Sequence, residues 1–191
     1  MKIIETCLPG VLIFEPKVFG DERGFFVETY RESMFIEAGL DIRFVQDNQS
    51  RSRRGVLRGL HYQLQQPQGK LVRVARGRVF DVAVDVRRGS PTFGQWTGAV
   101  LDDIIHRQMY IPPGFAHGFV VLSEVADFVY RCTNYYHPPS EAGIRWDDPQ
   151  IGVEWPTEIH SQIVMSDKDR QLPFLQDQSP EWLPALVTSA F

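Results

Sequence analysis

The chain has 191 residues, 43% of them hydrophobic and 12% aromatic, with a formal net charge of -4. That length suffices for one domain, 1-191, with a sizeable core, and the charge balance excludes a global basic field that would draw nucleic acid. No apolar run approaches the roughly 20 residues needed to span a bilayer, and Met1-Lys2-Ile3-Ile4-Glu5 lacks the apolar core of a signal peptide. Cys7 and Cys132 make neither a disulfide framework nor a Cys-x-x-Cys zinc pair. The expectation is a cytoplasmic protein that binds no nucleic acid and no membrane.

Along the chain, short alternating segments are broken by Gly and Pro. In Arg23 to Tyr30, a period of two puts Phe26, Glu28 and Tyr30 on one face. Met34 to Gly39 reads as a short helix closed by Gly39. Extended chain resumes at Phe44 to Asn48, and Val56 to Leu64 is the next strand. Leu71 to Ala75 and Val79 to Val86 flank Arg76-Gly77-Arg78, which reads as the turn of a hairpin. In its second arm Phe80, Val82, Val84 and Val86 share a face opposite Asp81 and Asp85. Gly98 to Leu101, Gln108 to Ile111, Phe119 to Leu122 and Ala126 to Thr133 continue the series, with a tight turn at Pro112-Pro113-Gly114. About nine short strands without strand–helix alternation predict a mainly β fold, an antiparallel sandwich or barrel of the jelly-roll type with short peripheral helices. Pro180 to Leu186 reads as a second short helix.

Several polar residues sit in apolar company. Strict alternation groups His61 with Leu57, Gly59 and Gln63. A histidine in such a setting is commonly a satisfied core residue. Lys70 aligns with Val72 and Val74, and a lysine on a core-facing row needs a partner or a task because its charge is expensive to desolvate. Tyr130 shares a face with Phe128 and Cys132. His117 is hemmed by rings and glycines, and Ser166-Asp167-Lys168-Asp169 offers carboxylates after the β-rich body. The five histidines are widely spaced, with no His-x-His, so no metal-binding pattern is present. There is also no Gly-x-Ser-x-Gly, P-loop or Gly-x-Gly-x-x-Gly, so neither a metal nor a nucleotide cofactor is expected.

The segments Phe19-Gly20-Asp21-Glu22-Arg23-Gly24-Phe25-Phe26, Gln46-Asp47-Asn48-Gln49-Ser50, Val56-Leu57-Arg58-Gly59-Leu60-His61 and Gln68-Gly69-Lys70-Leu71-Val72 resemble the dTDP-4-dehydrorhamnose 3,5-epimerase family. So do Asp81-Val82-Ala83-Val84-Asp85, Ser90-Pro91-Thr92-Phe93-Gly94, Ile111 to Phe119, Tyr130 with Thr133-Asn134-Tyr135-Tyr136, and Ser166-Asp167-Lys168-Asp169. The likeness runs in order from about Lys2 to about Leu175 and leaves a C-terminal tail, about 176-191, outside it. It implies a cupin-type jelly roll, a metal-free homodimer, and a dTDP-linked 4-keto-6-deoxyhexose substrate epimerised at the two carbons beside the C4 ketone, on the route to dTDP-L-rhamnose.

Carried over residue by residue, the resemblance implies that His61 is the general base and Asp169 the carboxylate that orients it. Lys70 becomes the cation at the C4 oxygen, and Tyr130 the acid that returns a proton from the opposite face. Arg23 and Arg58 would hold the nucleotide sugar through their guanidinium forks. Phe26 and Glu28 match positions that strand exchange offers to the partner's site. Gln46, Asp47, Asn48, His117, Tyr136, Glu141 and Lys168 also fall on ligand positions. The alternatives are a mono-epimerase at C3 or C5, or a ketoisomerase, acting on a related dTDP-4-keto sugar. A metal-dependent oxygenase and a non-catalytic sugar-binding jelly roll are disfavoured. One conflict stands in the pattern. Strict alternation puts Arg58 and His61 on opposite faces, yet the family uses both at one site. A bulge is therefore expected near Gly59.

Overall fold

The computed structural model describes residues 1–186, apart from the side chains of 160–162. In chain order the strands are β1 (Lys2–Glu5), β2 (Leu12–Glu15), β3 (Val18–Asp21), β4 (Gly24–Val27), β5 (Gln46–Arg53), β6 (Leu57–Gln63) and β7 (Lys70–Arg76). They continue as β8 (Arg78–Asp85), β9 (Trp96–Asp102), β10 (Gln108–Ile111), β11 (Phe115–Val121), β12 (Val125–Cys132) and β13 (Glu141–Gly143). Helix α1 (Glu32–Glu37) lies between β4 and β5, and α2 (Asp167–Arg170) follows β13.

Two antiparallel sheets face each other as a jelly roll. One has the order β1-β2-β10-β7-β12-β5, the other β13-β6-β11-β8-β9, and β3 and β4 form a separate ribbon. The chain switches sheets at almost every turn of the middle region, because β7, β10 and β12 belong to one sheet and β8, β9 and β11 to the other. This corrects the expected hairpin at Arg76-Gly77-Arg78. The turn is there, but its arms diverge into opposite sheets instead of pairing. Gly77 has φ +86°, and a Cβ on it would lie 2.1 Å from the Val125 carbonyl oxygen, so this corner admits only glycine.

Three apolar layers follow from this arrangement. Between the sheets, Val72, Val74, Met109, Ile111 and Phe128 meet Val79, Ala83, Leu101, Phe115, Phe119 and Val121. The outer face of the five-stranded sheet, including Val82, Val84 and Val120, is covered by Ile144, Ile151, Trp155, Ile159, Leu175 and Leu183 from the C-terminal third. The outer face of the six-stranded sheet carries Phe14, Leu71 and Tyr110, packed under Phe35 of α1 and the rings of Tyr30 and Phe44. Because both faces of the five-stranded sheet are covered, β11 is buried at every position, which is why Phe115 to Val121 shows no in–out alternation and carries His117 as its one polar side chain.

Three further expectations change. The strand read as Arg23 to Tyr30 ends at Val27; Tyr30 instead packs against Phe35 and Phe44. Helix α1 starts earlier than the Met34 read from the sequence and is closed as expected, with Gly39 N–H donating to Ile36 O at 2.9 Å. Pro180 to Leu186 is not a helix: only Pro180–Trp182 makes a 3-10 turn, and Ala185 then pairs beside Arg88. Tyr62 Oη donates to Trp182 O at 2.7 Å and accepts from Gln178 Nε2 at 3.0 Å, fastening the tail behind β6. The end of the tail, 187–191, lies outside the described residues.

Candidate active site

The site begins with a defect in β6. His117 on β11 faces His61 on β6, but Phe119 faces Arg58, so three residue steps on β6 oppose two on β11. The extra residue lies at Gly59-Leu60, whose peptide bond is cis. Gly59 has φ +117°, and a Cβ there would fall 2.6 Å from Gly118 Cα and 2.7 Å from His117 O. The slip reverses the alternation: Leu57, Leu60 and Tyr62 pack in the outer layer, while Arg58 and His61 both reach the interior cavity. The expected bulge is present, and the expected grouping of Leu57 with His61 on one face is corrected by it.

The cavity between the sheets has a volume of about 550 Å³ and is lined by Arg58, His61, Lys70, His117, Phe119, Phe128, Tyr130, Lys168 and Asp169 among others. A second lobe of about 310 Å³ shares His61, Lys70 and Tyr130 with it and adds Gln46, Asn48, Gln63, Gln68, Cys132, Tyr136 and Glu141. These sizes suit a small organic ligand. His61 and His117 come from the five-stranded sheet, Lys70 and Tyr130 from the six-stranded one. A ligand between the sheets therefore meets imidazole on one face and a phenol on the other.

Each histidine is held by a carboxylate. His61 Nε2 lies 2.7 Å from Asp169 Oδ1. Asp169 is buried on α2, whose N-terminus is capped by Ser166, with Asp169 N–H donating to Ser166 Oγ at 3.1 Å. Burial raises the Asp169 carboxyl, but the hydrogen bonds from His61, Ser166 and the Gly59 backbone, with the charge of His61, outweigh it and hold the carboxyl below the usual range. His117 Nε2 lies 2.9 and 3.2 Å from the two oxygens of Asp81, a fully buried side chain. Burial pushes His117 down and Asp81 up, each from its ordinary value.

Lys70 stands at the start of β7 beside Cys132 and Ile111. Burial pushes its amine down, opposed by Cys132, Asp81 and Glu141. Burial likewise pushes the Tyr130 phenol up, reinforced by Cys132 and opposed by Arg58. Arg58 Nη2 and Nε donate to Ser52 Oγ at 3.1 and 3.2 Å. At the rim, Glu141 Oε2 accepts from Tyr136 Oη at 2.6 Å and from Lys168 Nζ at 2.5 Å. Gln46 Nε2 donates to Asn48 Oδ1 at 3.0 Å, and Asn48 Nδ2 points to Cys132 Sγ at 3.7 Å.

The model of the family described as dTDP-4-dehydrorhamnose 3,5-epimerase matches residues 5–177. The chain belongs to this family. The dTDP-4-dehydrorhamnose 3,5-epimerase of Pseudomonas aeruginosa is 58% identical over 172 residues, covering 90% of this chain and 94% of that protein. Among solved structures, the 3,5-epimerase of Legionella pneumophila in complex with dTDP-4-keto-L-rhamnose is 54% identical, with a TM-score of 0.94 over 97% of this chain and 98% of that one. A 3'-monoepimerase from Streptomyces bikiniensis in complex with dTDP-quinovose is 35% identical, with a TM-score of 0.88 over 94% and 91% of the two chains.

Four of the epimerase site residues expected from the sequence lie away from the cavity. Asp47 alternates to the outer face of β5, where Arg131 Nε is 3.5 Å away. Arg23 pairs with Asp21 and Glu28 with Arg31, and Phe26 is 67% exposed on the β3–β4 ribbon. Asp81, the buried partner of His117, was not among the residues expected from the sequence. The signal was available: a carboxylate in Val79-Phe80-Asp81-Val82-Ala83-Val84 is as anomalous as the lysine that was noticed. Among the described residues no three His, Cys, Asp or Glu side chains cluster as metal ligands, and no helix is long and apolar enough to cross a membrane.

Proposed function

We propose that this epimerase inverts C3 and C5 of dTDP-4-dehydro-6-deoxy-D-glucose to give dTDP-4-dehydro-L-rhamnose, in dTDP-L-rhamnose biosynthesis. The observation that carries this reading is the opposition of His61, backed by Asp169 at 2.7 Å, to Tyr130 on the facing sheet of one cavity. Inversion needs a base on one face of the sugar ring and an acid on the other; a single base returns the proton to the side it came from.

His61 removes the proton beside the C4 ketone through Nδ1, since Nε2 is engaged by Asp169. Asp169, held ionised, stabilises the imidazolium that forms. Lys70 faces the C4 oxygen, where enolate charge accumulates, and Tyr130 delivers a proton from the opposite face. His61 then releases its proton to solvent and Tyr130 recovers one, and the same pair acts at the second carbon. Arg58, His117, Gln46 and Asn48 bind the sugar and its diphosphate, with Tyr136, Glu141 and Lys168 closing the rim.

The reading includes a homodimer in which the β3–β4 ribbon crosses to the partner. Phe19 and Phe26, whose ring centroids lie 6.4 Å apart, are 52% and 67% exposed on that ribbon, apolar surface that a lone chain leaves in water. Arg23, Phe26 and Glu28 would then reach the partner's nucleotide-binding end. Two free thiols suit a reducing, cytoplasmic setting.

The test is to incubate the protein with dTDP-4-dehydro-6-deoxy-D-glucose in heavy water and follow the sugar by NMR. Deuterium at both C3 and C5 is the expected result. The likeness to a 3'-monoepimerase makes entry at C3 alone the second reading, and no entry at either carbon overturns the epimerase assignment.

A further inference from the structure

Both histidines that line the cavity, His61 and His117, are backed by a carboxylate, and only one such pair is needed to remove a proton. We propose that Asp81 is a positioning residue of the site: its carboxylate fixes His117 in the Nε2–H tautomer, so that Nδ1 accepts from a sugar hydroxyl, and it supplies the buried negative charge that keeps Lys70 an ammonium. The inference rests on the epimerase reading for the identity of the hydroxyl and of the C4 oxygen.

Both Asp81 oxygens lie within hydrogen-bond distance of His117 Nε2, at 2.9 and 3.2 Å, and an ionised carboxylate can only accept, so with Asp81 ionised that nitrogen carries the proton. Burial favours the neutral ring, and a neutral ring protonated at Nε2 presents a lone pair at Nδ1. Among the described residues no buried side-chain nitrogen or oxygen lacks a partner. Among the described residues His117 Nδ1 makes no hydrogen bond, and His117 lines the cavity, so Nδ1 opens onto it.

The charge argument is independent of the tautomer. Lys70 shares the cavity lining with His61 from β6, His117 from β11, Tyr130 and Cys132 from β12, and Glu141 from β13, and the Asp81 carboxylate on β8 lies behind His117, close enough for its charge to act on Lys70. Asp169 is occupied by His61 and Ser166, and Glu141 by Lys168 and Tyr136. Among the described residues no arginine or lysine is bonded to Asp81, which is 0% exposed. A buried carboxylate behind His117 and an ammonium in the cavity in front of it each lower the cost of charging the other. In this arrangement Asp81 touches no substrate; it acts through His117 and Lys70.

The direct measurement is the titration of Lys70 by NMR in lysine-labelled, substrate-free protein, wild type against Asp81→Asn. The Lys70 midpoint falls by about one pH unit in the variant, the scale of a lost opposite charge nearby. The alkaline limb of kcat moves the same way, kcat drops about tenfold or more, and KM stays within about threefold. An unchanged Lys70 midpoint with a lower melting temperature overturns the proposal in favour of a purely structural Asp81. Ring 15N spectra of wild-type His117 give a second arm that survives if the variant does not fold: protonation at Nε2 is expected, and protonation at Nδ1 overturns the tautomer assignment. Because both readouts are taken without substrate, they judge Asp81 even if the chain turns over a different sugar nucleotide.

Discussion

His61 and His117 are direct cross-strand partners on β6 and β11, and each turns its Nε2 onto a carboxylate from a different element. The two pairs differ in access. The side chains of His61 and Asp169 are 25% and 6% exposed, those of His117 and Asp81 7% and 0%. A base that must exchange its proton with solvent between turnovers needs the open position, and a residue that only holds an orientation is better sealed.

Replacing His61 with Asn keeps a polar side chain of similar reach but removes the base. The expected outcome is a loss of kcat by a factor on the order of 10³, with deuterium incorporation abolished at both carbons. Retained exchange at either carbon in heavy water contradicts the assignment of the base.

Tyr130→Phe removes the opposite-face proton donor and leaves His61 in place. Proton removal and return on the His61 face continue, so inversion falls by about 10² or more while washout at the labelled carbon falls less. Equal loss of washout and inversion, measured on one sample by NMR, argues against the role given to Tyr130.

Gly59→Ala inserts a methyl group 2.6 Å from Gly118 Cα at φ +117°. Backbone blocks the space on that side, so no rotamer relieves it. A stability loss of about 2–4 kcal/mol in urea denaturation is expected, with kcat lowered more than KM is raised because His61 depends on the bulge to face the cavity.

Asp169 gives a pH prediction. Its folded carboxyl is held below its unfolded value, so it contributes stability above about pH 4, where the unfolded group is ionised, and that contribution is lost as pH falls through the folded value. Asp169→Asn should therefore be less stable than wild type at neutral pH, by about 1–3 kcal/mol. The gap should narrow in acid, as urea midpoints at neutral and low pH would show. A constant gap across that range contradicts the coupling.

Tyr62→Phe tests the strap behind β6. It deletes the hydroxyl shared by Trp182 O and Gln178 Nε2. A loss of about 1–2 kcal/mol is expected, together with faster amide exchange at Ala185 and Leu186, whose backbones run beside Arg88. Unchanged exchange there means that Leu183 and the backbone pairing with Arg88 hold the tail without the Tyr62 hydroxyl.

Much of the chemistry was legible from the chain itself. Lys70 and Tyr130 stood out because ionisable and phenolic groups are costly on apolar rows, a local and intrinsic property of the residues. The ordered motifs around Arg58, His61, His117 and Asp169 carried the family assignment without any geometry. Local reading could not choose between sheets: Arg76-Gly77-Arg78 has the chemistry of a hairpin turn, and only non-local pairing sends β7 and β8 to opposite sides. Nor could alternation say on its own where it would slip. The backbones of Gly59 and Gly118 pass too close for a Cβ, and that contact across strands turns Arg58 and His61 to the same side. The partnership of Asp81 with His117, 36 residues apart in the chain, was likewise decided only when β8 and β11 paired. Side-chain type is written in the sequence, whereas the face that each side chain takes follows from register, which two distant segments set together.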